Sequence, residues 1–183
     1  MIITITGKPC SGKGSISKLF CEKYHFNYMC VGDMMREMAM KNGQTILEFQ
    51  QNNANIKDVD NMLDSYTENV GKTRLSEDLL IDSRLAWHFI PKSFKVFVDV
   101  DWNTAGVRLI GAGRASETAK DALSATEELK NRWQTENKRY QELYNIDNCN
   151  LGNYNLVVDS TNKTVEELVE IIKKAYEEFM QNA

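Results

Sequence analysis

Near its amino end the chain carries Gly7-Lys8-Pro9-Cys10-Ser11-Gly12-Lys13-Gly14-Ser15, residues whose types and spacing suit phosphate binding. They follow a short apolar run, Ile2–Thr6, and open a helical pattern, Gly14–Tyr24. The Gly-x-x-x-x-Gly-Lys spacing is that of a P-loop, here with Gly14 inserted before the hydroxyl residue. Glycines let the backbone curl so that successive N–H groups point at phosphate oxygens. The following helix adds the positive end of its dipole. Lys13 is then placed for the terminal phosphates of a nucleotide, and the Ser15 hydroxyl for Mg²⁺ or its water. A glycine-rich turn with a solvated lysine would explain the glycines but not the Gly-Lys-Gly-Ser order.

Arginine usage supports phosphate chemistry. Of 22 basic residues, seven are arginine: Arg36, Arg74, Arg84, Arg108, Arg114, Arg132 and Arg139. All but Arg74 fall in or beside loops that should face a ligand, or on one face of a long helical pattern. The planar guanidinium grips phosphate oxygens through two parallel bonds, whereas lysine acts as a point charge. Asp33, beside Arg36, is placed to cap a helix beginning at Met34. Asp82, beside Arg84, either caps a following turn or holds the waters of Mg²⁺ next to the P-loop. Arg132, Glu136 and Arg139 share a helix face, where a plain surface ladder of ion pairs is the alternative. Arg108 and Arg114 flank Leu109-Ile110-Gly111-Ala112-Gly113, a stretch suited to a mobile lid or to a solvated loop.

The elements that must position these groups alternate between short apolar runs and helical patterns. The runs are Ile2–Thr6, Asn27–Val31, Leu79–Asp82, Phe94–Val100 and Tyr154–Asp159. Near-continuous apolar segments of this length suit parallel strands covered on both faces. Helices are expected over Gly14–Tyr24, over Met34–Lys41 with a stop at Asn42-Gly43, and over Lys57–Val70 with a stop at Gly71. A long helix should run from about Asp121 to Tyr144, and a last one should open at the capping box Thr164-Val165-Glu166-Glu167. This order reads as a parallel α/β sheet. Ligands of such sheets lie at the carboxyl ends of the strands, here the loops after Thr6, Val31, Asp82 and Val100.

Composition sets outer limits. A chain of 183 residues with no Gly/Ser-rich tract reads as one domain. A net charge of -4 argues against a nucleic-acid coat. No apolar run approaches the roughly 18 residues of a membrane span. The start lacks the basic region of a signal peptide, and Cys10, Cys21, Cys30 and Cys149 form no CxxC pair. A cytoplasmic protein with reduced thiols, working as a monomer, is the expectation.

Gly7-x-Pro9-x-x-Gly12-Lys13-Gly14-Ser15 resembles the adenylate kinase form of the P-loop, and Gly32-Asp33-Met34-Met35-Arg36 resembles that family's monophosphate-binding turn. The rest is similar to the short, archaeal-type cytidylate kinases. Asp82-Ser83-Arg84-Leu85-Ala86-Trp87 resembles their acid-Gly-Arg-Leu-Ala segment. Arg132-x-x-x-Glu136-x-x-Arg139-Tyr140, Tyr144-Asn145-Ile146-Asp147 and Tyr154-Asn155-Leu156-Val157-Val158-Asp159 resemble their C-terminal third. The resemblance implies five parallel strands with helices on both faces, a monophosphate-binding insertion at about 34–72 and a short lid at about 108–120. It implies ATP and Mg²⁺ as donor and CMP or dCMP as acceptor, with the P-loop from Gly7 to Ser15 holding the donor. Arg36, Arg84, Arg132 and Arg139 would surround the acceptor phosphate, Glu136 would approach the ribose, and Asp33 would belong to the same substrate-binding set. Lys13, Arg108, Arg114 and Arg132 would act on the moving group, and Ser15 and Asp82 on the metal. Ser83 departs from the pattern's glycine, Trp87-His88-Phe89 is bulkier than its counterpart, and Gly111-Ala112-Gly113-Arg114 departs from the family's second lid arginine. A P-loop kinase for a small metabolite hydroxyl, with Asp33 or Asp82 as base, and a nucleotide-binding regulatory module are the competing readings.

Overall fold

The computed structural model describes residues 1–44, 56–112 and 121–182. Five strands, β1 (Ile2–Gly7), β2 (Asn27–Cys30), β3 (Leu79–Asp82), β4 (Phe94–Asp99) and β5 (Leu156–Asp159), form one sheet in the order β2-β3-β1-β4-β5. Every neighbouring pair is parallel. Register brings the strand ends to one edge: Ile5 and Cys30 each lie opposite Asp82, Gly7 opposite Val98, and Asp99 opposite Asp159. That edge collects the loops that carry the P-loop and the acidic and basic groups beside it.

Side chains alternate across the sheet with period two. Ile3, Ile5, Leu80, Phe94, Val96 and Val98 point to one face, where they pack with Ile16 and Phe20 of α1 (Lys13–Tyr24). Leu168, Val169, Ile172 and Tyr176 of the last helix, α7 (Val165–Asn182), complete that layer. Ile2, Leu79 and Ile81 point to the other face, against Val70 of α3 (Ile56–Thr73) and Ala86 and Ile90 at the short helix α4 (Ala86–Phe89). Phe97 meets Trp133 of α6 (Ala122–Tyr144) on the same side. Burying a side chain such as Phe20 contributes about 1.5–3 kcal/mol, so this two-faced apolar core fixes the sheet under the loops.

Several ends fall where sequence signals put them. Thr164 and Glu167 exchange the two capping bonds at 2.7 and 3.2 Å, and Asp121 caps α6 by accepting from the Ser124 N–H at 2.7 Å. The helix α2 (Val31–Lys41) stops at Asn42 with Gly43 at a left-handed φ of 66°. Three expectations need correction. Helix α2 begins at Val31, so Asp33 lies in its first turn rather than at its cap. Gly71 does not end α3, which continues to Thr73; it lets the helix press on Ile90, whose Cγ1 would stand 2.8 Å from an added Cβ. Arg108 to Gly111, expected in a flexible stretch, form the last turn of α5 (Trp102–Gly111). Gly113 and Arg114 lie outside the described residues, as do the middle of the insertion and most of the lid.

Helices α5 and α6 meet at Gly106, where an added Cβ would stand 2.2 Å from Thr126 Oγ1 and 2.6 Å from the Ala122 carbonyl oxygen. Overpacking of this kind costs about 1–3 kcal/mol. Gly106→Ala should therefore lower Tm by several degrees in a thermal melt. An unchanged Tm would contradict this close approach.

Candidate active site

The loop after β1 is shaped by backbone constraints. At Gly7 the strand passes so near β4 that a Cβ would stand 2.1 Å from the Val98 carbonyl oxygen, a contact that only glycine permits. Cys10 and Gly12 both adopt left-handed backbone, at φ 58° and 84°, which curls the chain into α1. Gly12 provides no side-chain cap, so the first amides of α1 keep their hydrogen-bonding capacity. Bare amides at a helix start, with the dipole behind them, favour an anion. Lys8, although inside the motif, turns away: its Nζ pairs with Asp99 at 2.6 Å, donates to the Val100 carbonyl at 3.2 Å and lies 4.8 Å from the Trp102 ring centre. It anchors the loop to the end of β4.

Two arginines converge on this loop. Arg84, two residues beyond β3, donates through Nη1 to the Gly7 carbonyl at 2.6 Å. Its Nε lies 3.2 Å from Glu136 Oε2, and its guanidinium sits 5.8 Å from the Trp133 ring centre. Arg132 meets the other oxygen of Glu136 at 3.1 Å and remains half exposed. Glu136 therefore receives the helix and loop cations together. Arg108 comes from the opposite side, its Nη1 bonding the Cys10 carbonyl at 3.4 Å and Ser160 Oγ at 3.1 Å, and its Nη2 the Ser160 carbonyl at 2.6 Å. Arg139 lies farther along α6, where its charge acts on Tyr140 and Tyr144. Arg36 pairs with Asp33 at the exposed start of α2, near enough for Asp33 to act on Asp82.

Lys13 and Asp82 face each other across 4.0 Å. Burial, then the Arg84 charge, holds the Lys13 ammonium below its ordinary pKa, against the pull of Asp82 and Glu136. Burial likewise pushes Asp82 above the usual carboxylate range, against the pull of Lys13 and Arg84. Both charged forms are thus costly when they have only each other. Gly14 leaves room beside the pair, since an added Cβ would lie 3.7 Å from Asp82 Oδ2. Ser15, one residue on, faces elsewhere: with Ser11, Gly12, Arg108, Ser160 and Lys163 it lines a cavity of about 180 Å³. That is smaller than the ~300–1,000 Å³ of a complete small-molecule site, and suits part of a ligand. Ser11 Oγ is buried there with no hydrogen-bond partner among the described residues.

The site thus joins Lys13, Asp82, Arg84, Arg132 and Glu136 directly, with Arg36 and Asp33 at its margin and Arg108 across the loop. Of Ser15 and Asp82, expected to share a metal, Ser15 lines the cavity, and the residue beside Asp82 Oδ2 is Gly14. Sequence reasoning missed Ser160 and Lys163, although the rule that selects loops at carboxyl strand ends applies equally to Asp159. It also missed Asn148, which is fully buried. Asn148 accepts from Trp87 Nε1 at 2.7 Å and donates to the Arg84 carbonyl at 3.4 Å.

A phosphate cradle after the central strand of such a sheet, with cations gathered over it, defines a phosphotransferase of the P-loop class. The model of a family described as "AAA domain" matches residues 6–104. A cytidylate kinase of Methanococcus maripaludis strain C7 is 33% identical over 178 residues, covering 97% of this chain and 98% of that protein. The chain belongs to the nucleoside monophosphate kinase family, where it is similar to archaeal cytidylate kinases over nearly its full length. It is also 33% identical over 180 residues to an S-adenosylmethionine-dependent nucleotide dehydratase of Lacinutrix mariniflava, a longer protein of which it spans 36%. Among solved structures, shikimate kinase from Bacteroides thetaiotaomicron shares the fold with a TM-score of 0.70 and 14% identity, over 97% of this chain and 98% of that one.

The lowered pKa of Lys13 gives the pH dependence a direction. The charged ammonium is the form that holds phosphate, so kcat/KM, which reports the free enzyme, should fall on the alkaline side below the ordinary lysine value of 10.5. In Lys13→Arg the guanidinium stays charged through that range, so the alkaline limb should vanish from a slower enzyme. Persistence of the limb would assign it to another group.

Proposed function

We propose that the chain transfers the γ-phosphoryl group of ATP to CMP or dCMP, giving ADP and CDP or dCDP. The observation that carries this reading is the meeting of Arg84 with the P-loop, its Nη1 at 2.6 Å from the Gly7 carbonyl. Because Lys13 and Glu136 lie beside it, donor and acceptor phosphates would be gripped by one connected set of charges. The donor's phosphates would rest on the amides of Gly12 to Ser15, with Lys13 on their terminal oxygens. Its nucleoside end would extend toward the cavity of Ser11, Ser15, Arg108, Ser160 and Lys163. Arg36, Arg84, Arg132 and Arg139 would surround the acceptor phosphate, Glu136 the ribose, and Arg114 the moving group from the lid.

In the reaction an acceptor phosphate oxygen forms a bond to the γ-phosphorus while the bond to the β–γ bridging oxygen breaks, releasing ADP. That acceptor is already an oxyanion, so no general base is required. The protein's work is bringing two polyanions into line and offsetting the charge spread over the transferred group. Asp82 fits a role in holding Mg²⁺, because that ion takes one or two carboxylates besides phosphate oxygens and waters, and Gly14 leaves space beside Oδ2. When bound, the ion neutralises charge on the donor phosphates. Ser15, expected to share the metal, is instead assigned to the donor cavity. The reading has the protein acting as a monomer in the cytoplasm, with no nucleic-acid partner.

Lys13→Ala should lower turnover about a hundredfold or more, as loss of a preorganised charge contact commonly does. Near-normal turnover would remove Lys13 from the mechanism. A coupled assay of ADP release across AMP, CMP, dCMP, UMP and GMP should show fastest turnover with CMP or dCMP, and a purine preference would overturn that choice. Turnover of a polyol but of no monophosphate would select the small-metabolite kinase, and ATP binding without any ADP formation the regulatory module.

A further inference from the structure

Asp64, on α3, is a half-buried carboxylate that the phosphate chemistry leaves unused. Its helix buries Leu63, Thr67 and Val70 against the core, which turns Asp64 toward α6. There the Tyr144 hydroxyl donates to Asp64 Oδ2. Tyr144 also packs edge-on against Phe89 at 5.6 Å and tilts toward His88 at 6.4 Å. His88 acts electrostatically on the same carboxylate. One carboxylate and three aromatic rings from α3, α4 and α6 therefore share a small region.

This region continues the line of the phosphate site. Glu136, Tyr140 and Tyr144 follow one another at four-residue steps along one face of α6, and eight residues of helix span about 12 Å. His88 stands four residues beyond Arg84. Between the two ends lies the Tyr140 hydroxyl, pushed up to about 12 by burial and then by Glu136, with Arg84, Arg139 and Asp64 also acting on it. A monophosphate with its phosphate at Arg84 and its ribose at Glu136 would extend its base toward Tyr144 and Asp64. Flat rings favour a planar heterocycle, and a carboxylate can only accept hydrogen bonds. Cytosine offers an amino donor at its outer edge, where uracil offers an oxygen acceptor in its place. A buried acceptor discriminates strongly against a ligand that cannot pair with it.

We propose that Asp64, oriented by the Tyr144 hydroxyl and flanked by His88 and Phe89, reads the exocyclic amino group of the acceptor base and so selects an aminopyrimidine over an oxopyrimidine monophosphate. The inference rests on the monophosphate reading given above. Its test compares kcat/KM for CMP and UMP in the full-length wild type, Asp64→Asn and Tyr144→Phe, with a thermal melt of each. The wild type should prefer CMP. In Asp64→Asn, whose amide presents donors as well as an acceptor, the CMP-to-UMP ratio should fall about tenfold or more, or about 1.4 kcal/mol of discrimination. Tyr144→Phe keeps the carboxylate but frees its orientation, so the same ratio should fall by a smaller factor. Should Asp64→Asn fail to fold, the tyrosine variant decides alone. Equal losses on both substrates, or an unchanged ratio in a folded variant, would show that the Asp64–Tyr144 bond only ties the helices together, and would overturn the inference. A wild type that uses CMP without preferring it to UMP overturns the inference alone, whereas one that phosphorylates no monophosphate overturns the underlying reading as well.

Discussion

Positive charge must be concentrated at the carboxyl edge of the sheet before any phosphate arrives, and the structure holds it there with two carboxylates. Lys13 and Arg84 stand close enough to depress the Lys13 pKa. Asp82 faces Lys13 at 4.0 Å, and Glu136 faces Arg84 at 3.2 Å. Neither carboxylate fully offsets the burial: Asp82 is itself pushed above its ordinary range. A buried pair of this kind contributes little to stability, because desolvation consumes much of the attraction. Its use is to keep the cations in place and receptive. A phosphate oxygen beside these cations favours their charged forms.

The rest of the architecture makes that concentration tolerable. Parallel register sets the ends of β3, β1 and β4 side by side, so the loops that leave these strands open at one edge. The approach of Gly7 to Val98 draws the P-loop down onto β4, where Lys8, paired with Asp99 and stacked by Trp102, keeps it. Arg108 ties Cys10 to the Ser160 segment beyond β5. Asn148 fixes the Arg84 carbonyl from beneath while it takes the Trp87 indole N–H. Each bond acts on the backbone of the loop or of its arginine, leaving the α1 amides free for ligand. These bonds around the cradle are buried or part-buried, whereas the Asp33–Arg36 pair at the start of α2 is exposed.

Much of this was legible in the order of residues. Apolar runs of four to seven residues separated by helical patterns pointed to the parallel sheet, and the capping signals at Thr164 and Asn42-Gly43 marked two helix ends. The signals that failed were those where one local cue competed with packing. Gly71 reads as a stop because glycine weakens a helix, yet the same missing side chain lets α3 rest on Ile90. Asp33 reads as a cap, but β2 ends a residue earlier and the helix begins at Val31. Arg132 and Glu136 could be placed on a common helix face, but not their neighbour in space, since Arg84 is 52 positions away from Glu136.

The chain's order of residues determined, without coordinates, that a phosphate nest follows the first strand, that arginines are gathered in ligand-facing segments, and that the sheet is parallel. These are properties of short windows, where spacing and side-chain chemistry act over a few residues. Only the tertiary structure decided which cations touch the nest, that Lys8 faces away from it, that Gly14 rather than Ser15 faces Asp82, and that Asp64 lies with Tyr144 and His88. Such choices depend on contacts between residues 24 to 98 positions apart, where register, crossover direction and burial set the distance, and no local pattern encodes them.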